Sequence, residues 1–213
     1  MAKADEERGS VRRAKEGDAR AYRFLVERYQ ARIHRLVSGL IGHGHGNVED
    51  VVQEVFVKAY FSLKKFRGDA AFGTWLYRIA VNRARDEMKK ESRRASLDDA
   101  ISRGEEGEAV EALDGWVGQP GLEAEEPSGG PPEVLRKLVG RAVASLPDRM
   151  RVIVTLKDIE GLSYLEVSRV LKCSVGTVKS RHSRARKRLR EALSPYAPEF
   201  IRGGRGEGGG GGS

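Results

Sequence analysis

The chain has 213 residues, 39% apolar and 33% charged, with 39 basic and 31 acidic side chains and a net charge of +8. That length allows one or two domains, and the polarity falls short of whole-chain disorder. No apolar run approaches the ~18 residues of a membrane span, and the charged opening, with no apolar segment after it, is not expected to act as a secretory signal. The single cysteine, Cys173, makes neither an internal disulfide nor a cysteine zinc cluster. A reduced, cytoplasmic protein without direct membrane insertion is expected.

Charge divides the chain. Residues 1–96 carry 21 basic and 13 acidic side chains, 97–133 carry one basic and 11 acidic, and 134–202 carry 16 basic and six acidic. Two basic blocks flanking an acidic bridge suit a polyanionic partner, although solvated helix faces would give the same count. The expected fold class is all-α: a helical bundle over 1–96, a flexible acidic linker over 97–133, a second helical unit over 134–202 and a glycine tail over 203–213.

In chain order, a charged segment from Ala4 to Glu16 predicts a loosely held first helix. Asp18 can cap the next, whose Tyr22, Leu25, Val26, Tyr29, Ile33, Leu36, Val37 and Leu40 form one apolar face. Gly42–Gly46 breaks the pattern. Asn47 can cap a third helix, with Val48, Val51, Val52, Val55, Phe56, Ala59, Tyr60 and Leu63 in helical period. Asp50, Gln53 and Glu54 lie on its outward face. After the turn at Gly68-Asp69, Phe72, Trp75, Leu76, Ile79 and Ala80 predict a fourth helix.

That fourth helix carries Arg78, Asn82, Arg85 and Lys89 at i, i+4, i+7 and i+11, hence on one face. Asparagine forms helix poorly but reads base edges, and aromatics beside a basic groove suit unstacked bases. Phe72 and Trp75 are equally well explained as core.

From Gly104 to Pro132 there are seven glycines and four prolines among acidic residues, too little apolar surface to offset ordering. Leu113, Trp116, Val117 and Leu122 are its sizeable apolar groups. Beyond it, Pro147-Asp148 opens a helix with Met150, Val152, Ile153, Leu156 and Ile159. Ser163 and Glu166 predict a capping box for a helix with Leu162, Leu165, Val167, Val170 and Leu171 on its apolar side. A turn at Lys172–Ser174 leads to a basic helix from Val175 to about Leu193. Two short helices, a tight turn and a basic second helix predict a helix-turn-helix reading DNA through Thr177, Lys179, Ser180, Arg181 and Arg184.

Asp50-Val-Val-Gln-Glu-Val-Phe56 and Phe66-Arg-Gly-Asp-Ala-Ala-Phe-Gly-Thr-Trp-Leu-Tyr-Arg-Ile-Ala-Val-Asn82 closely resemble region 2 of bacterial extracytoplasmic-function sigma factors. Leu146-Pro-Asp148, Asp158-Ile-Glu-Gly-Leu-Ser-Tyr-Leu-Glu166 and Gly176-Thr-Val-Lys-Ser-Arg-His-Ser-Arg-Ala-Arg186 resemble their region 4. The resemblance covers about residues 19–94 and 134–193 and is greatest to the sigma-E type. It implies an alternative sigma factor that binds RNA polymerase core and directs promoter-specific initiation, with no enzymatic activity of its own. Asp50, Gln53, Glu54 and Phe56 match the motif that meets the β′ clamp coiled coil, Phe56 supporting from the core side. Arg67, Gly68, Asp69, Ala70, Ala71 and Phe72, with Asn82, match the part that captures a flipped base of the −10 element, and Arg78 and Arg85 share the Asn82 face. Lys179, Ser180, Arg181 and Arg184 match the −35 helix. The β flap, promoter DNA both double-stranded and melted, and a membrane-linked anti-sigma factor are the further partners it implies. His182 and Ser183 depart from it, standing where bulkier apolar residues are usual.

Two rivals remain. A stand-alone helix-turn-helix regulator would need neither the Asp50 surface nor the Asn82 face. An enzyme with a metal at His34, His43 and His45 is poorly matched, because the spacing is loose and glycine-rich. No cofactor and no metal are expected.

Overall fold

The computed structural model describes residues 2–42, 48–103 and 133–196. These form α1 (Ala2–Lys15), α2 (Ala19–Ile41), α3 (Val48–Ser62), α4 (Phe72–Arg103), α5 (Glu133–Ala144), α6 (Asp148–Val154), α7 (Tyr164–Leu171) and α8 (Val175–Leu193). A 3-10 turn, Leu63–Lys65, follows α3, and a π turn, Thr155–Ile159, extends α6. Among the described residues there is no strand. The Asn47 cap, His43 and His45, the glycine- and proline-rich stretch with Trp116, and the glycine tail lie outside the described residues.

The helix starts follow from local chemistry. The Asp18 carboxylate accepts from the Arg20 and Ala21 amides, satisfying two donors that α2 itself cannot. Ser163 and Glu166 form the reciprocal box at the head of α7, and Ser174 accepts from the Thr177 amide to start α8.

Helix α1 is held more firmly than its charge suggests. Val11 and Ala14 are buried, and Glu7 accepts from the Tyr29 hydroxyl at 2.8 Å. Helix α4 runs to Arg103, past the expected boundary at 96. The predicted helix through Ile159 instead switches to π geometry after Val154, leaving Ile159 exposed. Leu165, expected on the apolar side of α7, is 52% exposed. Its place is taken by Leu162, Val167 and Val170, which are buried.

In the first unit Leu25, Ile33, Leu36 and Leu40 of α2 pack with Val51 and Val55 of α3 and Leu76 of α4. Each is fully buried, worth roughly 1.5–3 kcal/mol per side chain before ordering costs. The same core continues into the second unit through Val152, Ile153, Leu156, Leu162, Val167, Val170 and Val178. The two units therefore share a seam, which the sequence alone does not reveal.

Arg151 bridges that seam. It is 5% exposed and donates to the Leu40 carbonyl at 2.9 Å and to the Ala144 and Leu146 carbonyls at 2.7 and 3.1 Å. A buried guanidinium supplies a planar fork of donors, and here the fork closes the C-terminal end of α2. Burial pushes its pKa down from the ordinary arginine value.

Candidate nucleic-acid interface

The first surface is the outward side of α3. Asp50, Gln53 and Glu54 are exposed there, as the spacing predicts. Phe56 is half-buried, and its carbonyl accepts from the Tyr22 hydroxyl at 2.5 Å. Glu54 is not solvated alone, because Arg83 of α4 donates to it and also to Glu87. The Arg83 hydrogen bond holds the Glu54 carboxyl below the usual range. Val57 and Phe61 continue the same helical face and are 54% and 77% exposed. The face thus runs from acidic to apolar.

The second surface is built around the turn before α4. Gly68 has φ +83°, a conformation that side-chain-bearing residues avoid. Beneath the turn Phe66, Phe72 and Trp75 pack with ring centroids 5.2–6.0 Å apart, and Tyr29 meets Phe72 edge-on at 5.5 Å. Phe72 is buried, so it supports the turn and does not present a face to solvent. Lys15 of α1 donates to the Phe66 carbonyl at 2.9 Å, tying the turn from below.

The turn opens onto a cavity of about 270 Å³ lined by Arg67, Gly68, Asp69, Ala70, Trp75 and Arg78, with Lys65, Phe66 and Thr74. Arg169 of α7 completes the lining from across the seam. Four cations against one carboxylate make a site for a polyanion, with an aromatic edge available to a base. Arg67, Asp69 and Ala71 are exposed and Ala70 half-buried. Asn82 is exposed and Arg85 half-buried further along α4, and neither lines the cavity. Burial pushes the Arg85 pKa down, and the charges of Asp148, Arg149 and Arg181 reach it. Helix α4 packs against α7 of the second unit, which brings Arg85 within reach of those charges.

The third surface is α8. Lys179, Ser180 and Arg184 are exposed, and Thr177 and Arg181 half-exposed. Thr177 shares its hydroxyl with Ser174 at 2.8 Å, and the Ser180 hydroxyl donates to the Thr177 carbonyl at 3.1 Å. Arg184 Nε reaches the Ser180 carbonyl at 3.4 Å. The stripe Val178, His182, Ala185 and Leu189 points inward at helical spacing. That spacing is the signal by which His182 could have been read as inward.

Cys173 is half-buried in the turn between α7 and α8. His34 pairs with Glu49 at 3.5 Å. Among the described residues no group of three or more His, Cys, Asp or Glu could hold a metal ion, and no helix is long and apolar enough to cross a membrane.

Comparison with known proteins attaches these surfaces to a family. Residues 25–94 match the family model for sigma-70 region 2, and residues 136–189 match that for sigma-70 region 4. The chain is 41% identical over 186 residues to the ECF RNA polymerase sigma-E factor of Escherichia coli (strain K12), covering 87% of this chain and 93% of the relative. Its structure is similar to that of CnrH in complex with the cytosolic domain of CnrY, with a TM-score of 0.62 and 26% identity over 90% of this chain and 99% of that one. It also shares the fold of the sigma factor RpoE solved with the anti-sigma factor NepR from Bartonella quintana, with a TM-score of 0.59 and 24% identity over 81% and 96% of the two chains.

Proposed function

Because the chain belongs to the extracytoplasmic-function sigma factors of the sigma-70 family, and so is an alternative sigma factor directing transcription initiation, we propose how its three surfaces divide that work. The outward face of α3 docks on RNA polymerase core. Asp50 and Gln53 supply its polar end, and Val57 and Phe61 its apolar end. Glu54 contributes after exchanging Arg83 for a partner's cation. Large apolar groups left in water on one helix face are costly unless something covers them.

The cavity under Arg67–Ala70, with Arg78, Asn82 and Arg85, takes the melted −10 strand. Unstacking a base costs a few kcal/mol, and the cationic, aromatic-edged cavity is what returns it. Helix α8 reads the −35 element in the major groove through Lys179, Ser180, Arg181 and Arg184, with Thr177 at its head. The protein acts as a non-catalytic subunit of the cytoplasmic polymerase. Its own contribution is binding free energy placed where duplex must open. The β flap of the polymerase holds the second unit, and an anti-sigma factor holds the chain inactive.

The observation that carries this reading is the coexistence of an exposed acidic-to-apolar α3 face with two separate basic surfaces. A stand-alone regulator needs only α8. The test is run-off transcription with sigma-free bacterial core on a library of promoters. The chain is expected to elicit discrete transcripts that core alone does not make. Strong, sequence-specific DNA binding without core, and no transcripts with it, would favour the stand-alone regulator.

A further inference from the structure

His182 is the one polar residue on the inward stripe of α8, and it is 4% exposed. Its Nε2 lies 2.7 Å from Oδ2 of Asp158, in the π turn. Its Nδ1 lies 2.9 Å from the Tyr164 hydroxyl, at the head of α7. A carboxylate only accepts, so in the neutral ring the proton sits on Nε2 and the Tyr164 hydroxyl donates to Nδ1. Three elements are thus joined through one imidazole. The Tyr164 ring meets it edge-on, with centroids 5.6 Å apart.

The other use of the Tyr164 ring is as a platform. Lys157 Nζ lies 5.2 Å and Lys179 Nζ 5.8 Å from its centroid. A cation at that distance from an aromatic face gains about 0.5–1 kcal/mol at an exposed site. A lysine has four rotatable bonds, and holding it in one region before binding lowers the ordering cost that binding must meet.

We propose that Asp158, His182 and Tyr164 form a positioning relay that sets the resting place of Lys179 and so the base preference of α8. The relay rests on the reading of α8 as the −35 helix. His182 touches no base in this arrangement. It acts through the tyrosine it anchors, and Lys179 is the group that reaches DNA. With His182 replaced by an apolar residue, the Tyr164 ring loses its rotational anchor, and Asp158 loses its neighbour.

The test uses holoenzyme reconstituted with the full chain, and a promoter panel in which each −35 base pair is changed in turn to the other three. Lys179→Ala is expected to flatten the preference at one position. Tyr164→Phe and His182→Leu both sever the hydrogen bond that anchors the ring, so each is expected to flatten that same position, by at most the about twofold to fivefold that full loss of the cation–π contact would give. Neither should add to Lys179→Ala, since all three act on one contact. A Tyr164→Phe holoenzyme with unchanged preference there overturns the relay, as does a loss spread evenly over every position, which is what a purely structural role would give. Tyr164→Phe keeps the ring and its volume, so it decides the matter even where His182→Leu fails to fold. If Lys179→Ala flattens no position, the −35 assignment of Lys179 falls, and the relay with it.

Discussion

The hydroxyl of Tyr77, on α4, donates a 2.9 Å hydrogen bond to Oε2 of Glu160, beyond the π turn of the second unit. Arg35 of α2 donates to the other oxygen at 3.3 Å, and the Glu160 side chain is 1% exposed. One buried carboxylate therefore clasps both major helices of the first unit.

Tyr77→Phe should weaken the clasp without opening a cavity. It leaves a buried carboxylate oxygen short of a donor, at a cost of about 1–3 kcal/mol. Urea unfolding should show a lower midpoint. A pair of fluorophores, one on each unit, should report a larger separation. An unchanged midpoint and separation would mean the pair holds nothing.

The same tyrosine predicts an alkaline limit. Burial, and then the Glu160 charge, push the Tyr77 pKa up. Burial likewise raises Tyr29, beside Glu7, and raises Tyr22 to about 12. A raised pKa in the folded state favours the neutral phenol there. The stabilisation is complete below the unfolded value of about 10 and is lost as pH rises through the folded values. Melting temperature should hold steady to about pH 9.5 and then decline. Tyr22→Phe and Tyr77→Phe should each blunt the decline.

Gly73 marks a close approach. A Cβ there would lie 2.9 Å from the Tyr29 ring, which already packs on Phe72 and donates to Glu7. Gly73→Ala gains up to ~1 kcal/mol of helix propensity, but the clash costs typically about 1–3 kcal/mol. Net destabilisation is expected in thermal melts, and the displaced ring should carry Phe72 and the Arg67–Ala70 turn with it. A stabilised Gly73→Ala would show that the ring moves freely.

Much of this was legible because it is local. Asp18, Ser163 and Ser174 announce helix starts by side-chain chemistry alone, and the alternating apolar steps of α2 give its inward face. The seam was not legible. Nothing in the residues flanking Tyr77, Arg151 or Glu160 points to a partner in the other unit. Only the meeting of α2, α4 and the π turn makes them partners. Leu165 misled for the opposite reason, since its apolar side chain fits the helical count of α7 but faces water. Among the proposed sites, helical spacing placed Asp50, Gln53 and Asn82 outward. The pairing of Glu54 with Arg83, the Arg169 wall of the cavity and the His182 relay depend on which helices meet, so spacing within one helix could not show them.

The most direct measurement is binding of the full chain to sigma-free core polymerase, with wild type and Asp50→Lys compared by size exclusion. Asp50 is the better choice because Glu54 is already engaged by Arg83. A charge reversal at Asp50 leaves that internal pair in place. Wild type should co-elute with core, and Asp50→Lys should not, with both melting at the same temperature. Equal co-elution of the two would remove Asp50 from the interface, and no binding by either at micromolar protein would contradict docking on core.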